Sequence, residues 1–236
     1  MQAHDADPLI RAGTLGTVPG WIKAAFFAPV GLLVLATSAR ALGETFHNDD
    51  FPDLLALKLE HLPLIFPLHM ASGAISLLLV PLVFLLRRRP SWHRWAGRAA
   101  SVPVVISALT AWPVAWMHPV SWVTAAGFSV QAALWLGFLG AGIRAIRGGR
   151  IAAHRRAMLL MMAVTSGAVF FRVWLALWAW LAFGWHFALV YSCDAWLGWL
   201  VPLVATWAWL RREKARTVLR VGLATPQLPR ASNAAT

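Results

Sequence analysis

The stretch 154–183, HRRAMLLMMAVTSGAVFFRVWLALWAWLAF, decides the fold. At about 1.5 Å per helical residue it can cross a hydrocarbon layer about 30 Å thick. It also encloses an arginine, Arg172, within its apolar run. A charged side chain near the centre of a membrane helix costs about 3 kcal/mol on insertion scales, so Arg172 is expected to face protein and to have a partner. Asp194, the carboxylate of the next apolar stretch, is the expected partner.

Composition outside this stretch agrees with a membrane class. Of 236 residues, 59% are hydrophobic and 13% charged, a balance that leaves too little polar surface for a water-soluble domain of this size. The net charge of +12 raises the possibility of nucleic acid. The basic residues sit in short runs between apolar segments, however, as the positive-inside bias of cytoplasmic loops requires, so no nucleic-acid partner is expected. A single cysteine, Cys193, rules out an internal disulfide, a redox dithiol or covalently attached haem. Residues 1–20 lack the charged-then-apolar order of a cleaved signal and are expected to form a cytoplasmic tail.

The hydropathy pattern predicts an all-α bundle of six membrane helices over 21–210: Trp21–Leu42, Leu62–Leu86, Ala99–Met117, Trp122–Ile143, the opening stretch up to Phe183, and Phe187–Leu210. Residues 211–236 are expected to be a basic, disordered tail. The segment Gly43–His61 holds five of the nine acidic residues, with His47 and His61, and reads as a solvated outer loop. Of the 21 Lys and Arg, all but Arg40, Lys58 and Arg172 fall on one side of this threading, which places both termini in the cytoplasm of a bacterial inner membrane. Trp92, Trp95, Trp122 and Trp185 lie at helix ends, as aromatic belts do.

Two constellations carry chemistry. Counted from the outer helix ends, Arg172 lies about 16 Å deep, Asp194 about 14 Å and His69 about 10 Å, so three helices offer polar groups at nearly one level. Tyr191, one turn outward of Asp194, extends that network. It reads either as an ion pair that fixes packing or as a proton-linked site for a small molecule or lipid. The second constellation is cytoplasmic. His93 and His154 open alternate helices, each among arginines, an arrangement that can hold b-type haem between two imidazoles. His69 and His118 offer a comparable outer pair, and Arg172 can meet a propionate or a quinone oxygen. Binding of anionic lipid headgroups by the same interfacial histidines and arginines stays open.

The ordered motifs HMASG at 69–73, HRWAGR at 93–98, HRRAM at 154–158, FRVWL at 171–175 and AWLGWLVP at 195–202 resemble those of a family of bacterial multi-pass membrane proteins catalogued as a domain of unknown function. In that family an aromatic residue commonly follows the arginine that ends the second motif, where Ala99 stands here. The resemblance implies a helical membrane protein with a histidine and arginine signature, and no particular reaction. The alternating histidines are also similar in layout to two-haem b-type cytochromes. Two functions follow as expectations: electron transfer through b-type haem, or proton-linked binding or transport at His69, Arg172 and Asp194.

Overall fold

The computed structural model describes residues 20–46, 53–181 and 186–224, with side chains from 28 to 216 within them. His47, Asp49, Asp50, Phe183 and Trp185, together with residues 1–19 and 225–236 of the expected tails, lie outside the described residues. Among the described residues seven α-helices follow one another: α1 (Gly20–Phe46), α2 (Asp53–His61), α3 (Ile65–Leu85), α4 (Pro90–Trp116), α5 (Trp122–Arg147), α6 (Ile151–Leu181) and α7 (Phe187–Ala224). Five of them, α3 to α7, are long and apolar enough to cross a membrane. Most of each such helix faces outward with apolar side chains, as it must where the surroundings are lipid.

Three boundaries differ from the hydropathy pattern, each for a local reason. The helix expected from Ala99 begins at Pro90, because proline at the first helical position has no N–H to lose and its fixed φ suits a helix start. HRWAGR is therefore helical rather than loop, which brings His93 into the first turn of α4. Within the expected outer loop, 53–61 forms the short helix α2, whose Lys58 is only 8% exposed. Finally, α7 runs on to Ala224, past the expected end at Leu210, through residues of high helix propensity. Arg155 grips Glu213 on this extension through two bonds of 3.0 Å.

Packing is between neighbours: α3 on α4, α5 on α6, α6 on α7, with α7 also against α5 and α1 laid across α3 and α6. Small residues set these distances. A Cβ at Gly127 would come within 2.9 Å of the Ala195 carbonyl, and one at Gly167 within 2.8 Å of Trp199 Cβ, so α7 can sit this close to α5 and α6 only because both positions are glycine. The α5–α6 turn likewise uses Gly149 at φ 70°. A dry cluster of Val80, Val104, Leu139 and Met161 joins α3, α4, α5 and α6.

Candidate functional site

Between α1, α3, α4, α5, α6 and α7 lies a cavity of about 310 Å³, with α2 at its rim. His69 from α3, Arg172 from α6, and Tyr191 and Asp194 from α7 all line it. The shared level has a simple origin. The Phe171 Cβ lies 3.2 Å from where a Gly198 Cβ would stand, and its ring is 5.1 Å from that of Tyr191. Arg172, next to Phe171, is thus held beside the span of α7 that contains Asp194.

The expected ion pair between Arg172 and Asp194 is not formed. Arg172 is exposed and donates from Nη1 to the Ala168 carbonyl at 3.0 Å, one turn back on its own helix. Asp194 is 3% exposed, and neither carboxylate oxygen has a hydrogen-bond partner among the described residues. The rotation of the two helices explains this. Phe171 and Tyr191 occupy the contact between α6 and α7, with Phe128 completing an aromatic group at 5.5 and 6.4 Å, and the charged groups flank it. Tyr191 is part of this aromatic group, and no hydrogen bond joins its hydroxyl to a described residue.

His69 places Nδ1 3.0 Å from the Ser107 carbonyl on α4. A carbonyl can only accept, so Nδ1 carries the proton and the Nε2 lone pair is left available at the cavity. His118, expected to pair with His69, instead packs its ring 4.6 Å from His61, with its own backbone at φ 46° in the left-handed region. Lys58, which charge counting placed simply outside, reaches across to cap α4: its Nζ donates to the Val114 carbonyl at 2.7 Å and to that of Met117. Burial lowers its pKa below the ordinary 10.5.

His93 and His154, at the other end of the bundle, do meet. His93 and His154 have ring centroids 6.4 Å apart, with planes at 81°. Each sits in the first turn of its helix and places Nδ1 2.9 Å from a carbonyl near the end of the preceding helix, Val83 for His93 and Gly142 for His154. The two hairpins α3–α4 and α5–α6 therefore repeat one device: an imidazole fixed by backbone, with its Nε2 lone pair left over. That is how metal-binding histidines are oriented.

Distance discriminates among metal geometries. With N–metal bonds of about 2.0 Å, imidazoles on opposite sides of one metal have centroids about 6 Å apart, whereas neighbours in a tetrahedral set lie about 5 Å apart. The observed centroid separation, 6.4 Å, lies nearer the first value than the second. Among the described residues no group of three or more His, Cys, Asp or Glu could hold a metal ion, so the protein offers two donors, and a metal held here brings its other ligands with it. A haem iron is a metal of that kind. Arg155 is committed to Glu213 and to the face of Trp209, and Arg98 lies over Trp95, while Arg94 makes no hydrogen bond to a described residue.

Sequence patterns gave no sign of the Lys58 cap, the His61–His118 contact, or the hydroxyl cluster in which Ser192 meets Ser121 at 2.6 Å and Thr124 at 3.0 Å. Each joins residues far apart in the chain through short or common side chains. The one available signal was Lys58 itself, a lone lysine in an acidic segment.

Long apolar helices that bury charged and histidine side chains between them define a multi-pass integral membrane protein. More particularly, the chain belongs to the family described as "Predicted membrane protein (DUF2306)", whose match spans residues 66–210. No curated protein and no solved structure matches the chain.

Proposed function

We propose that this protein is a membrane electron carrier that holds a b-type haem between His93 and His154, near the cytoplasmic ends of α4 and α6. The supporting observation is the backbone-anchored imidazole pair 6.4 Å apart. The proposal includes six spans, with α1 as the first, both termini cytoplasmic, in a bacterial inner membrane. When bound, the haem supplies a one-electron couple.

The chain's own residues set the conditions for that couple. The Val83 and Gly142 carbonyls fix each ring and make it a stronger donor by polarising its Nδ1–H. One to three turns deeper, Val80, Val104, Leu139 and Met161 form an apolar layer on the membrane side. Arg94 and Arg156, beside the two histidines, would favour an anionic group at the interface and offset propionate charge.

The test is the visible spectrum of detergent-purified protein from haem-replete cells after dithionite. A Soret band with a sharp α band is expected, lost in His93→Ala and in His154→Ala and retained in His69→Ala. A colourless wild-type protein overturns the proposal.

A further inference from the structure

The outer cavity holds four charged side chains, and two of them are answered within the protein. Glu44 is paired with Arg40 at 2.6 Å, and Lys58 caps the carbonyls at the end of α4. Arg172 and Asp194 are left. Arg172 uses one N–H on the Ala168 carbonyl, and its other donors meet no described residue. Asp194 is almost fully buried, and both its oxygens are unpartnered among the described residues. A buried carboxylate with nothing to accept from is costly, and within a membrane water does not readily make up the loss.

We propose that this cavity binds a small zwitterion: an ammonium group that Asp194 receives, joined by a short linker to a phosphate or carboxylate that Arg172 receives. Only an occupant with both charges compensates both residues; a neutral ring compound leaves each charge unanswered. Aromatic rings suit the ammonium end, since Phe128, Phe171 and Tyr191 cluster with centroids 5.1 to 6.4 Å apart against the span that carries Asp194. His69 Nε2 and the Gln131 side chain add polar lining on the same cavity. The volume of about 310 Å³ equals about ten water molecules at about 30 Å³ each, enough for an ethanolamine phosphate or an amino acid. The chemistry is common to a free solute and to a phosphatidylethanolamine headgroup. The site lies in the opposite half of the bundle from His93 and His154 and does not depend on haem.

The experiment is thermal unfolding of the full chain in mild detergent with defined probes. O-Phosphoethanolamine and glycine represent free zwitterions, and short-chain phosphatidylethanolamine the lipid. Ethanolamine, inorganic phosphate, short-chain phosphatidylglycerol and a short-chain quinone are controls. At a hundredfold excess over Kd, a zwitterion is expected to raise Tm by about 5 °C or more. The shift should vanish in Asp194→Asn and in Arg172→Gln; if either variant is not monodisperse, the other decides. A response to the free probes identifies a solute, and one confined to the lipid probe identifies a headgroup; both support the site. No response to any zwitterion, an equal response in both variants, or a response to the quinone alone overturns it. The dithionite spectrum of the same samples is a separate readout, so a colourless protein that responds to a zwitterion leaves this site standing.

Discussion

Asp194 shows how far a single residue can be read from sequence. Its burial within a helix of mostly apolar residues was legible, and so was its depth relative to Arg172 and His69, because helix rise converts residue count to distance. Its pairing was not legible, because that depends on how α6 and α7 are rotated, and the rotation brings Phe171 against Tyr191 instead. An energetic difference follows. Without ligand, Asp194→Asn removes an uncompensated charge and should raise thermal stability in detergent by about 1 kcal/mol or more. A double-mutant cycle with Arg172→Gln should show coupling below about 0.5 kcal/mol; strong coupling would mean the two are paired after all. Lys58 offers a pH test. Burial lowers its folded pKa, so the folded protein binds fewer protons than the unfolded chain between that value and 10.5, and stability rises with pH through this window. Tm of wild type should climb relative to Lys58→Met as pH approaches 10.5 from below.

At the scale of helices, α7 depends on the glycines it crosses. Gly167 faces Trp199 at a separation that admits no Cβ, so Gly167→Val should cost about 1–3 kcal/mol and loosen α6 from α7. Gly137, with open space around it, should accept alanine without loss, and the paired measurement separates packing from helix propensity. The extension of α7 rests on less. Arg155 and Glu213 are both substantially accessible, so Glu213→Ala should leave Tm close to that of wild type. Proline and hydropathy patterns located the apolar spans; they missed α2 and the early start of α4, because nine residues are too few for a periodic signal and a proline among arginines reads equally as turn or helix start.

For the whole molecule, the two hairpins α3–α4 and α5–α6 meet so that one end presents two anchored imidazoles and the other a charged cavity. The proposed orientation has a direct check. In a Cys193→Ser background, a cysteine at Arg150 should react with impermeant thiol reagents only from the cytoplasmic side; labelling from outside would invert the topology.

The sequence alone determined that this is a multi-pass helical membrane protein, where most of its spans run, and which polar side chains lie within them. Those properties follow from hydropathy and helix rise, which are read along one chain. Only the tertiary structure decided partners: that His93 meets His154, that His118 meets His61, that Lys58 caps α4, and that Asp194 meets no cation among the described residues. Partners depend on the rotation and spacing of neighbouring helices, and those are fixed by close contacts at Gly127 and Gly167 between residues distant in the chain.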